Sequence, residues 1–242
     1  MRHAIYILAF LVISSGTARA DVIAQWTFET SIPSTAGPHV AELGANAATA
    51  FASGFHAGAT TYSNPVGNGS NESFNSNNWQ IGDYYQFAVS TVGFQDITLN
   101  WDQNSTRSAT PTPAYGPIEF TLAYSTDGVN FTNAFDYTVV ANGAGGIPGW
   151  DNPPPRRTQY EVAFDLSGVE ALDNASNVFF RLIDRSTVAA DDQVVTAAGS
   201  SRIDNFTING AVSAVPEPGA MLLSSLAFAG AAIARRLRKA AA

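Results

Sequence analysis

The chain has 242 residues, 45% of them hydrophobic and only 13% charged, with no cysteine and a formal net charge of −8. The missing thiols exclude disulfide staples, thiolate metal sites and thiol nucleophiles, so packing alone must hold the fold. Half of the twelve Lys and Arg residues lie at the two chain ends, leaving six arginines against twenty carboxylates in residues 21–218, a net −14; such a surface repels nucleic acid and excludes phosphate-tracking grooves.

Residues 1–20 open with a short positive segment, Met1-Arg2-His3, followed by an apolar block at 5–13 and the small-residue site Ala18-Arg19-Ala20. That order predicts a secretory signal peptide cut after Ala20, with the general secretion machinery as its partner. From residue 21 to 210 the pattern is β throughout. Residues 84–89, 95–101 and 118–124 alternate with period two, placing Ile97, Leu99 and Trp101 on one face of their strand and Phe120, Leu122 and Tyr124 on one face of theirs. Further strands are predicted at 22–29, 134–140, 158–166, 178–184 and 202–209. Ser125-Thr126-Asp127-Gly128 is a turn signal with glycine placed to take positive φ. In Arg202-Ile203-Asp204-Asn205-Phe206-Thr207-Ile208 the apolar positions skip a beat, which predicts a bulge at Asp204-Asn205. Residues 169–175 are long enough for one helical turn. Two stretches, 64–78 and 141–155, are rich in Asn, Ser, Gly and Pro and read as long loops. Eight or nine short strands of this kind specify an all-β fold, a single antiparallel β-sandwich of jelly-roll-like form.

A linker at 211–215 leads to the tail at 216–239. Pro216 and Pro218 bracket Glu217 and cannot continue a helix or a central strand, which makes an extended, accessible break. Sixteen uncharged residues follow, 219–234, spanning about 24 Å as a helix against a hydrocarbon core of about 30 Å. Arg235, Arg236, Arg238 and Lys239 then form a cationic stop on the cytoplasmic side, so the body lies across the membrane from them.

This tail resembles the PEP-CTERM sorting signal of bacterial exported proteins, with Pro-Glu-Pro at 216–218, a short transmembrane helix and an Arg-rich end. The resemblance implies that Pro216, Glu217 and Pro218 are recognised by an exosortase, a membrane-embedded transpeptidase-like processing enzyme, with Arg235 and Arg236 as the cytoplasmic stop. It implies an inner-membrane intermediate, then delivery to the cell surface or an exopolysaccharide matrix. The body is similar to the jelly-roll domains of bacterial surface proteins and carbohydrate-binding modules, on Trp101-Asp102, Tyr124-Ser125-Thr126-Asp127-Gly128 with Phe131-Thr132, and Arg202-Ile203-Asp204-Asn205-Phe206.

For the body itself no catalytic signature emerges. Its two histidines, His39 and His56, lack metal-ligand spacing, and no Gly-x-Ser-x-Gly elbow occurs. The chain therefore reads as a non-enzymatic exported surface or matrix protein, with an extracellular carbohydrate-binding module as the alternative and a glycan-active hydrolase third. For the module, Trp79, Tyr84, Trp150 and Asn152 are the candidate glycan platform, since sugars are gripped by aromatic faces and planar hydrogen-bonding groups. The competing assignment for those rings is core filling. Asp191 and Asp192 are candidate calcium ligands; that site would need about six oxygens from distant segments, and no other cofactor is implied.

Overall fold

The computed structural model describes residues 20–106, 115–150, 155–190 and 192–213. The predicted signal peptide up to residue 19, and the sorting tail with its predicted transmembrane segment, lie outside them. Among the described residues no helix is long and apolar enough to cross a membrane.

The body, which ends at Val212, is a β-sandwich of two sheets. The first is built on two long strands, β7 (Phe94–Thr106) and β13 (Ser200–Val212), paired antiparallel along their length. On its other flank β13 takes two partners in succession, β5 (Phe74–Asn77) and β1 (Ala20–Trp26), with β4 (Tyr62–Ser63) outside β5. Strand β7 likewise takes β11 (Glu161–Asp165) and then β10 (Val140–Ala141). The second sheet runs in the order β2 (His39–Val40), β3 (Phe51–Phe55), β6 (Tyr84–Val89), β12 (Val178–Asp184), β8 (Glu119–Ser125) and β9 (Thr132–Thr138).

The period-two segments do what alternation dictates. In β6, Tyr85, Phe87 and Val89 are buried while Tyr84, Gln86 and Ala88 face outward; in β12, Val178, Phe180 and Leu182 fill the same layer. From the first sheet come Trp26, Trp101 and Phe206. Phe206 stacks on Phe87 across the sandwich at 3.5 Å between ring centroids, with Trp26 edge-on to Phe87 at 5.1 Å and Trp101 5.7 Å from Phe206. Buried aromatics of this size dominate core energetics.

The predicted bulge is present: register shifts between Asp204 and Thr207, and Asn205 takes φ +52°. The inserted residue lets Ile203 and Phe206 both point inward. Gly128 takes φ +74° in the predicted turn, and a short 3-10 turn occupies Glu170–Leu172.

Two expectations need correction. There are thirteen strands rather than eight or nine among the described residues, because β2, β4 and β10 are only two residues long, β3 is interrupted by Ser53-Gly54 and β5 is Asn/Ser-rich. Residues 64–78 therefore end in a strand. The sandwich is also not wholly antiparallel. The chain crosses from the second sheet to the first at buried Val139, so β10 enters beside β7 in the same direction, pairing Val140 with Asn104.

Candidate functional site

The predicted site residues fall in three places. Pro216, Glu217, Pro218, Arg235 and Arg236, together with Asn152 and Asp191, lie outside the described residues. Trp79 and Trp150 are interior, 4% and 1% exposed. Trp79 donates from Nε1 to the Ser76 carbonyl and packs edge-on against Tyr85 and Phe120, so it fills the core and offers no ring face to a ligand. Trp150 is held under its loop against Tyr160. Asp192 is exposed at φ +62°, and no group of three His, Asp or Glu residues is arranged to hold a metal among the described residues.

Tyr84 is different. It stands on the outer face of the second sheet, stacked on Phe55 at 5.1 Å and 18°, and Phe55 is 48% exposed. The Arg181 guanidinium lies over its other side, 4.0 Å from the ring centroid, and 3.7 Å from the Phe131 ring beyond. Arg181 Nε donates to Gln86 Oε1 at 2.8 Å, which fixes the plane of the fork. The result is a row of four planar groups, Phe55, Tyr84, Arg181 and Phe131, drawn from β3, β6, β12 and the turn after β8. Further along the same face, Phe51, Ala88 and Phe179 are directly opposite in register across β3, β6 and β12. Two phenyl rings flanking an alanine floor make a cleft of ≈ 240 Å³, rimmed by Thr49, Ser90 and Asn177. Sequence reasoning identified Tyr84 but not its partners, because Arg181 and Phe131 meet it only through strand register.

Two buried polar clusters are structural. Ser76 Oγ lies 3.0 Å from His56 Nε2, and His56 Nδ1 lies 2.9 Å from Asp83, an order of groups reminiscent of nucleophilic catalysis. Ser76, Asp83 and the His56 side chain are all enclosed, and Ser76 Oγ is shared with the Tyr85 hydroxyl, which donates to the Ser201 carbonyl at 2.7 Å. No substrate reaches this Ser; Asp83 also accepts from the Ala57 and Gln80 amides, so the relay ties chain segments together.

The second cluster lies on the outer side of the first sheet. Asp102 and Asp204 are directly opposite across β7 and β13, both fully buried, a pairing that repels if both are ionised. Arg156 resolves one half by a two-pronged bond to Asp102, 2.7 Å from Nε and 2.7 Å from Nη2. Asp204 instead accepts from the Asn68 amide at 2.8 Å and Ser70 Oγ at 2.6 Å, clamping the 64–73 loop onto the sheet. Gly67 is required there, since a Cβ would lie 2.3 Å from the Asp204 carboxylate. Burial, reinforced by neighbouring Asp102, pushes Asp204 up to about 7 against the pull of its donors. A raised carboxyl pKa means that the folded chain keeps a proton between about pH 4 and 7 that the unfolded chain releases, so this contribution is full at the acid end and is lost as pH rises through 7. Asp184, pushed up to about 7 by burial and by Asp83 and Glu119, acts in the same direction, while His39 and His56, lowered by burial, act oppositely. The expected result is therefore differential: thermal unfolding of Asp204→Asn against wild type should favour the variant by several degrees more at pH 8 than at pH 5.

Comparison with known proteins reaches the tail first. Residues 214–239 match the PEP-CTERM protein-sorting motif. The PEP-CTERM match thus begins two residues beyond Val212, where the last strand stops. Among curated proteins no match is found. For the body, solved structures give distant likenesses. The K1 cleaved adhesin domain of Lys-gingipain from Porphyromonas gingivalis W83 has TM-score 0.41 and 14% identity, covering 80% of this chain and 98% of that one. The CBM22-2 xylan-binding domain from Paenibacillus barcinonensis Xyn10C has TM-score 0.42 and 12% identity, covering 77% and 98%. Likenesses this distant say nothing of what the present body binds.

Proposed function

We propose that the chain is an exported, non-enzymatic surface or matrix protein whose body is carried out by the signal peptide, held by the tail, and freed when an exosortase acts at Pro216–Pro218. The PEP-CTERM motif directly following a completed fold carries this reading. Strand β13 already has partners on both flanks, so a cut beyond residue 213 removes no strand from the sandwich. Enclosure of the Ser76–His56–Asp83 relay supports a non-catalytic body.

Intact mass of the protein recovered outside cells should correspond to a chain beginning near residue 21 and ending upstream of residue 219. Deleting residues 216–218 should leave a full-length tail on a membrane-bound product. Extracellular protein that still carries residues 219–242 would refute the scheme.

A further inference from the structure

We infer that the outer face of the second sheet is a binding site for a neutral polysaccharide. This deepens the reading of an exported matrix protein, on which it rests only for where the ligand is met.

The residues of this face are chosen against the trend of the molecule. In a body with nineteen carboxylates, the cleft between Phe51 and Phe179 is lined by none; its rim is Thr49, Ser90 and Asn177, all hydroxyl or amide. Strand spacing sets the two phenyl-bearing backbones about 10 Å apart across Ala88, which admits one flat ring between two aromatic walls. An uncharged, hydroxyl-bearing ring with apolar C–H faces fits that slot, while a carboxylated one would enter an acidic protein's field without a cation at the slot to meet it.

The row at Tyr84 supplies the second contact. Positions 84 and 88 are about 13 Å apart along β6, the span of a short oligosaccharide rather than a single sugar. Phe55 presents an exposed flank there, and Arg181 has no carboxylate partner among the described residues. Both faces of its guanidinium are covered by Tyr84 and Phe131 and its Nε is committed to Gln86, which leaves the Nη edge as a pre-set donor pair for neighbouring hydroxyls. Between the two stations lies the Gln86–Arg181 rung, with small Ser53 on its β3 side and Ala123, wholly buried, on its β8 side. A chain ligand can therefore run along the strands from the slot to the stack.

The test is affinity electrophoresis of the full chain, purified in a detergent without a sugar headgroup, through gels containing dextran, mixed-linkage glucan, xylan or galactomannan, with polygalacturonate and alginate as anionic controls. At least one neutral polymer should retard the protein and neither polyanion should. Tyr84→Ala, and separately Ala88→Leu, which fills the slot without removing a ring, should each weaken retention about tenfold with unfolding temperature unchanged. Retention by no neutral polymer, preference for a polyanion, or both variants at wild-type affinity would overturn the site. Export is read independently from extracellular mass, so a membrane-retained chain that still binds refutes the location and leaves the site intact.

Discussion

Phe206→Ala is expected to lower the unfolding free energy by about 3–5 kcal/mol, measured by urea denaturation of the full chain in detergent or of the released product. Phe206 contacts Phe87, Trp26 and Trp101 at once, and its stack on Phe87 joins the two sheets. Three rigid rings cannot collapse into the space a lost phenyl leaves, so a cavity term adds to the transfer term. Phe206→Leu keeps much of the volume and should recover more than half of the loss. A variant as stable as wild type would mean that the sandwich is not locked at this point.

Arg156→Ala should cost about 2–3 kcal/mol, below the range for fully buried pairs because the Arg156 side chain is 36% exposed while Asp102 is wholly enclosed. The loss comes mainly from stranding Asp102 beside Asp204, with Asn205 Nδ2, at 2.9 Å, the one donor left to it among the described residues. That cause makes a specific prediction. Asp102→Asn in the Arg156→Ala background should restore part of the stability, whereas in wild type the same change should destabilise; a double-mutant cycle of chemical denaturation midpoints reads the coupling. If the two effects simply add, the ion pair is not what neutralises this rung.

Why some of this was visible in the sequence and some was not comes down to which forces leave a local trace. Ile97, Leu99 and Trp101 all lie inside because alternation is imposed by the pleat, a property of consecutive residues. The skipped beat at Asp204-Asn205 was legible for the same reason, since an extra residue must break a period of two. Strand β5, Phe-Asn-Ser-Asn, carries no such trace. It is a strand because β13 and β4 supply its hydrogen bonds from both sides and Phe74 and Ser76 point inward, facts fixed by residues far away in the chain. Trp79 and Trp150 sit in turn-rich segments whose local pattern leaves a ligand platform and core filling both open, and only the fold decides for the core. The candidate site divides along the same line. Tyr84 was singled out by its position, but the Arg181 fork and the Phe51–Phe179 slot exist only once β3, β6, β12 and β8 are in register.

The termini of the body carry a mechanical consequence. Ala20 pairs with Ala211, and Val212 with Phe94, so the chain enters and leaves side by side at one pole. A load drawn through Val212 runs lengthwise along β13, whose rungs to β7, β5 and β1 must slide together before any of them parts. Pulled in that direction the strand resists in shear instead of unzipping, and the load is borne by one of the two longest strands of the body, paired on both flanks.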